Sequence, residues 1–385
     1  MLSNEIISII IPCYNSSQTI ERCLISIEKQ THKCIQVIIA DDGSTDDTIK
    51  KCEKYKDKFF SLKILQLSHK GVSHARNKAL QVADGKYVQF IDSDDNYICA
   101  NALEKSLTTL KKYDVDAVVF DFIHPCFSSY LPEGYYELTN EETLLEFYQD
   151  FFSLILPWNK LFRREVLTLP FNEEVAFAED ELFNLSNLKN IKSIYVLSDV
   201  FYNYYCAPAR EKGNLSAINK TFLEGDFLSK KKTIWYNGVE NSHLRKNVCE
   251  KYFPKTKDFM LNVRTFDYFF WNFLFMCNVN VSHENAVKEC LRIFNEKEFV
   301  LSLKAKQSFG LKYKRLNDNE LLNSIKTFCK KGKSIFNKSK ASTTKINVYF
   351  ELSALFATLF FDYDIEKLNV IDVTAKALLI CLKTI

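Results

Sequence analysis

The sequence predicts an α/β fold in which a mostly parallel sheet is flanked by helices, joined to a second, mainly helical module. Three observations predict it. Short β-branched runs alternate with segments of helical spacing through the first third of the chain. The intervals between these runs, about 15–25 residues including a helix, suit right-handed crossovers between parallel strands. Beyond about residue 221 the composition shifts to Lys, Phe and Asn with helical spacing, as in Leu352, Leu355, Phe356 and Leu359.

Taken in order, Ile6–Ile11 is a strand-like run ended by Pro12. Ile20, Leu24 and Ile27 recur at i, i+4, i+7 and mark one face of a helix. Val37–Ala40 is the second strand, and Asp41-Asp42-Gly43-Ser44-Thr45-Asp46 forms a turn with a helix N-cap. Leu62–Leu67 gives a third strand, Val72–Val82 a helix, Tyr87–Ile91 a fourth strand and Val115–Phe122 a fifth. A helix is expected over Glu141–Phe152, and a loop over 206–220, where Pro208, Gly213 and polar residues gather. Domains are therefore expected at 1–220 and 221–385. In parallel sheets ligands bind beyond the carboxyl ends of the strands. The polar clusters Tyr14-Asn15, Asp41-Asp42-Gly43 and Asp92-Ser93-Asp94-Asp95 each follow a strand directly, so three clusters converge on one sheet edge.

Bulk composition narrows the function. The 385 residues suit two domains at ~100–200 residues each. A balance of 51 Lys+Arg against 48 Asp+Glu leaves +3, too little for a nucleic-acid partner. The 12 cysteines are scattered, with no Cys-x-x-Cys pair, and the first residues carry no signal-peptide pattern. Reduced thiols in a cytoplasmic protein are the expectation. Phe266–Val281 and Val348–Phe361 are interrupted by Asp267, Asn272 and Glu351, and read as buried helices rather than membrane spans. No Gly-x-Gly-x-x-Gly follows the first strand, which disfavours a dinucleotide enzyme, and Pro12-Cys13-Tyr14-Asn15 is not the basic Gly-rich loop of a nucleotidyltransferase. Gly332-Lys333-Ser334 imitates the end of a P-loop, but Thr327 stands where its first glycine belongs.

Five motifs carry chemistry: Ile10-Ile-Pro-Cys-Tyr-Asn15, Ala40-Asp-Asp-Gly-Ser-Thr-Asp46, Gly71-Val-Ser-His-Ala-Arg-Asn77, Phe90-Ile-Asp-Ser-Asp-Asp95 and Ala178-Glu-Asp-Glu-Leu-Phe183. In this order they resemble the bacterial family 2 glycosyltransferases over residues ~5–220. The resemblance implies a GT-A fold and a metal-dependent hexosyltransferase that inverts the anomeric centre. It moves a sugar from a nucleotide-sugar, a UDP-sugar by the aspartate pair after the second strand, to an acceptor hydroxyl on a cell-surface glycan, a lipid-linked saccharide or a glycoprotein. A catalytically inactive relative acting as scaffold or chaperone is the alternative, and the intact Asp92, Asp94 and Asp180 argue against it.

Physical reasons stand beside the resemblance. A departing diphosphate needs a cation or fixed donors. Asp92-x-Asp94 offers hard oxygen ligands suited to Mn²⁺ or Mg²⁺. By resemblance Asp94 binds the metal, Asp92 touches the ribose or shares the metal, and Ser93 lies at the nucleotide-sugar. Asp42 and Asp41 follow the second strand, where a carboxylate can accept a uracil imide N–H. Pro12 ends the first strand, and Tyr14 and Asn15 can line a base pocket. Gly71 permits close backbone approach, Arg76 offers a planar fork for phosphate or for the acidic motif, and Asn77 accompanies it. His69 and Lys70 stand where relatives commonly carry an asparagine before that glycine. Asp180 is the implied general base and Glu179 its neighbour toward acceptor or metal. Two adjacent carboxylates raise each other's proton affinity, which suits a base. Trp158-Asn159-Lys160 is read as acceptor-cleft wall or core, and Arg210–Ser216 as a lid over the diphosphate. For 221–385 two roles stand open: oligomerisation or acceptor binding through packed helices, and docking at the inner face of a membrane through the basic run Lys326–Lys345.

Overall fold

The structure is a computed structural model that describes residues 5–123, 132–139, 156–175, 179–205 and 242–252 together with Pro254. The strands all lie in one compact unit.

The strands are β1 (Ile7–Cys13), β2 (Ile35–Asp41), β3 (Ser61–Gln66), β4 (Tyr87–Phe90), β5 (Asn96–Tyr97), β6 (Ala117–Ile123), β7 (Gly134–Glu137), β8 (Lys160–Arg163) and β9 (Ser193–Asn203). The helices are α1 (Ile20–Glu28), α2 (Thr48–Glu53), α3 (Val72–Gln81), α4 (Ala102–Lys112), α5 (Glu179–Leu188) and α6 (Ser242–Tyr252). One sheet runs β3-β2-β1-β4-β8-β6-β9-β5, with β7 pairing on β9. Strands β3, β2, β1 and β4 are mutually parallel, and β6 and β9 are parallel to each other. Strand β8 is antiparallel to both β4 and β6, and β5 and β7 are antiparallel to β9. The sheet is thus mixed, more so than the sequence suggests. Strand β8 escaped notice because Asn159 and Lys160 interrupt its apolar pattern, although both are buried.

Every residue of β1 and of β2 is buried, as expected of central strands covered on both faces. Helix α1 buries Ile20, Cys23, Leu24 and Ile27, one stripe at i, i+3, i+4, i+7. Gln30, just past its end, donates to the carbonyls of Ser26 and Cys99 and accepts from Leu103 N–H, so the side chain ties α1 to the start of α4. Thr48 opens α2 with Asp46 Oδ1 accepting its N–H at 3.0 Å, a local cap.

Gly85 marks the tightest approach. A Cβ there would lie 2.6 Å from the Ile6 carbonyl and 2.7 Å from Ser8 N and Oγ, with both backbone groups fixed in β1 pairing. Gly85→Ala is expected to lower unfolding stability by about 1–3 kcal/mol through overpacking, read as a lower urea midpoint at unchanged m-value. A midpoint equal to that of wild type would show that the β1–β4 edge yields.

Among the described residues Cys13, Cys23, Cys34, Cys52, Cys99 and Cys249 form no disulfide, and no helix is long and apolar enough to cross a membrane. Burial pushes the Cys52 thiol up to about 12, so it stays protonated and inert. The expected helix over Glu141–Phe152, the 206–220 loop with its Arg210–Ser216 lid, the Lys326–Lys345 run and the apolar segments near 266–281 and 348–361 lie outside the described residues. Of 221–385, the described part is α6 with Pro254.

Candidate active site

Strands β1, β2 and β4 end side by side, in register Cys13↔Asp41 and Ile10↔Phe90. Their following loops therefore share one edge, and it holds the polar residues the sequence singles out. Loop joins loop through side chains. Ser16 Oγ and Ser93 Oγ lie 2.8 Å apart, linking the β1 loop to the acidic loop after β4. Asn15, held at φ +48, accepts Thr45 N–H at 2.8 Å while its own N–H donates to Ser44 Oγ. Asp41 accepts from Ser44 N–H at 3.0 Å and from the Ser44 hydroxyl. Asn15, Asp41 and Ser93 thus shape the loops, and their hydrogen bonds face the protein.

The acidic loop is braced from behind. The Tyr202 hydroxyl donates to Asp95 Oδ2 at 2.7 Å and accepts Asp92 N–H at 3.2 Å, while Tyr205 N–H donates to Asp95 Oδ1 at 2.7 Å. Arg22 of α1 donates to the carbonyl of Asp94 and lies 4.1 Å over the Tyr205 ring. Trp158 is buried in the same wall, stacked 4.5 Å from Tyr202, and so belongs to the core. With its backbone held this way, the Asp94 carboxyl has Asp92 as a like-charged neighbour and Arg22 as an opposing one. Burial first, and Asp92 second, push it up to about 6.

Helix α3 supplies the cation. Arg76, 4% exposed at its side chain, lies 5.2 Å from the ring centre of Phe171 and forks onto three carboxylates. Its Nη1 donates to Asp180 Oδ1 at 2.6 Å and to Glu179 Oε1 at 3.2 Å, and its Nη2 donates to Asp92 Oδ1 at 3.1 Å. The acidic pair that opens α5 and the acidic loop after β4, 87 positions apart between Asp92 and Glu179, are therefore brought together by one guanidinium. Burial raises Asp180 well above the ordinary carboxylate range, and Glu179 and Asp92 add to it against the pull of Arg76.

Below this cluster Phe171 and Phe183 stack at 3.8 Å, and Phe90 meets both edge-on, which seats α5 on the sheet. Asn77 bonds within the protein. It donates to the Phe171 carbonyl at 2.9 Å and to Glu173 Oε1 at 2.8 Å, and accepts Phe171 N–H at 2.8 Å. Its polar groups fasten the loop before the acidic pair. Asp42 is likewise turned inward, accepting the N–H groups of Lys70 and Gly71 at 2.9 Å each. Tyr14 and Gly71 remain on the open side of the edge, Tyr14 at 38% exposure and Gly71 at φ +100. Pro12 is buried in β1.

Sequence reasoning passed over Arg22 and Tyr202, and named Asp95 and His69 without giving either a role. His69 carried a signal, since it stands two positions before Gly71 of the third motif. Arg22 carried none, because it lies off the apolar stripe of α1.

Comparison with known proteins bears on the whole arrangement. Residues 8–168 match the family described as Glycosyl transferase family 2. The chain is 29% identical over 209 residues to the uncharacterized glycosyltransferase EpsJ of Bacillus subtilis, covering 52% of this chain and 60% of that protein. It is 33% identical over 217 residues to the poly(ribitol-phosphate) beta-N-acetylglucosaminyltransferase TarS of Staphylococcus aureus, covering 54% and 37% respectively. It thus spans less than two thirds of either relative. Among solved structures, that of S. aureus TarS 1–349 superposes with a TM-score of 0.55 at 21% identity, over 81% of this chain and 94% of that one.

Proposed function

We propose, on the premise that this chain belongs through residues 8–168 to glycosyl transferase family 2 and has its GT-A fold, that it transfers a sugar from a UDP-sugar to a hydroxyl of a cell-surface polymer, with inversion. The observation that carries the reading is the Arg76 fork, which gathers Asp92, Glu179 and Asp180 at one sheet edge. The match to TarS, named for its transfer of N-acetylglucosamine to poly(ribitol-phosphate), supports the acceptor class.

Asp94 and Asp92 would hold Mn²⁺ or Mg²⁺. Among the described residues no group of three or more His, Cys, Asp or Glu forms a closed metal cage. Two carboxylates with open positions suit ions that take their remaining ligands from substrate phosphates and water. The raised Asp94 carboxyl, held without a neighbouring free cation beyond Arg22, fits that role. When bound, the ion neutralises the charge on the departing diphosphate. Asp180 takes the acceptor proton, Glu179 flanks it, and Arg76 keeps both aligned toward Asp92. Tyr14 and Gly71 face the nucleotide, and residues 221–385 would serve oligomerisation or acceptor binding, or docking on a membrane that bears a lipid-linked acceptor.

Thermal unfolding with UDP and Mn²⁺ tests the site. Wild type gains about 2.7 kcal/mol at a hundredfold excess over Kd. Asp94→Asn loses that gain. The same variant is expected to be more stable than wild type when metal-free. A folded-state carboxyl raised from 3.8 to about 6 penalises the ionised fold. The penalty is nearly absent below about pH 4 and complete above the raised value, so the amide gains about 3 kcal/mol at pH 8 and little at pH 4. Equal UDP stabilisation of wild type and Asp94→Asn would remove Asp94 from the site.

A further inference from the structure

His69 is placed by Asp42. Its Nδ1 lies 2.9 Å from the Asp42 carbonyl oxygen and 3.0 Å from Asp42 Oδ2. Both oxygens only accept, so the hydrogen on that side of the ring belongs to Nδ1. With that hydrogen on Nδ1, Nε2 is the ring atom left to accept. The side chain is 61% exposed, and the ring stacks on Tyr14 with centroids 4.2 Å apart and planes at 25°. Asp42 itself is 6% exposed at its side chain and already receives Lys70 N–H, Gly71 N–H and His69. Beside them Gly71 leaves nothing within 4 Å of where a Cβ would stand.

We propose that His69 is the residue that reads the donor's nucleobase, its Nε2 accepting a ring N–H, while Asp42 serves to orient it. The proposal rests on the nucleotide-sugar reading above. Uracil offers N3–H and guanine N1–H to such an acceptor. Cytosine N3 and adenine N1 are themselves acceptors and would set lone pair against lone pair. The Tyr14 ring, stacked on His69, holds the imidazole in place and makes no distinction between bases. Base selection therefore lies with His69.

Titration calorimetry of UDP, CDP, GDP and ADP in Mn²⁺ tests this on wild type, His69→Ala and His69→Gln. Wild type is expected to bind UDP about tenfold more tightly than CDP, the worth of one well-placed hydrogen bond. In His69→Ala UDP weakens about tenfold, CDP changes little, and the two converge. A glutamine amide both accepts and donates, so His69→Gln keeps UDP within about threefold and gains CDP. Preference for GDP over UDP with the same His69 dependence would support the base reader and replace the donor. Undiminished UDP-over-CDP discrimination in His69→Ala would overturn the proposal and leave the nucleotide site standing. A wild-type protein that binds none of the four overturns both.

Discussion

Asp180→Asn is expected to lower kcat by about 10²–10⁴-fold while UDP and Mn²⁺ still bind. The substitution is isosteric, and an asparagine oxygen can still accept from Arg76 Nη1, which donates to Asp180 Oδ1 at 2.6 Å. Folding and the first half of the site are therefore preserved, and the lost function is the capacity to take a proton from the acceptor hydroxyl. Wild type should reveal that capacity in its pH profile. Burial, then Glu179 and Asp92, hold the Asp180 carboxyl above the ordinary range despite Arg76. A base must be ionised, so kcat/KM should fall on the acid side at a pH above that of an ordinary carboxylate. In the variant the residual rate should lose that limb. Substantial turnover in Asp180→Asn, with the acid limb intact, would reassign the base to Glu179.

The sequence made the frame of this site readable and left its joinery hidden. Strands β1, β2 and β4 were legible because Ile6–Ile11, Val37–Ala40 and Tyr87–Ile91 are apolar-rich runs, the first ended by Pro12 and the others by Asp41 and Asp92. Order along the chain then places their loops at one edge, since parallel strands share a carboxyl end. Side-chain direction was not legible. Asp41 and Asp42 are adjacent carboxylates after a strand, and nothing in the residue types says that one caps Ser44 and the other holds Lys70, Gly71 and His69. Asn77 belongs to the same motif as Arg76, one position on. Along α3 one residue advances about 100°, which carries Arg76 to the acidic pair and Asn77 to the Phe171 loop. The brace of Arg22, Tyr202 and Tyr205 behind Asp94 and Asp95 joins positions 72–110 residues apart, a distance over which spacing carries no pattern.

The same geometry makes Arg76 the residue whose loss should cost the fold most. Three carboxylates, Asp92, Glu179 and Asp180, share one guanidinium that is 4% exposed. Removing one partner of a buried ionic cluster leaves the others uncompensated, which typically costs 3–5 kcal/mol. Arg76→Ala should therefore fall by about that amount in urea unfolding at pH 8. Arg76→Lys keeps a charge but has no planar fork to reach both Asp92 and the α5 pair, so about half the loss is expected to remain. The pH dependence separates this account from simple loss of packing over Phe171. The guanidinium favours the ionised carboxylates, so its contribution is present where they are charged and is lost as pH falls and they protonate. The gap between wild type and Arg76→Ala should narrow from pH 8 toward pH 4, whereas a packing defect would persist unchanged. Catalysis should follow. Without Arg76 the opposing pull on Asp180 is gone, its carboxyl rises further, and the acid limb of kcat/KM moves to higher pH. A variant within about 1 kcal/mol of wild type at pH 8, less than a third of the expected loss, would mean that the fork aligns these carboxylates without holding the fold together.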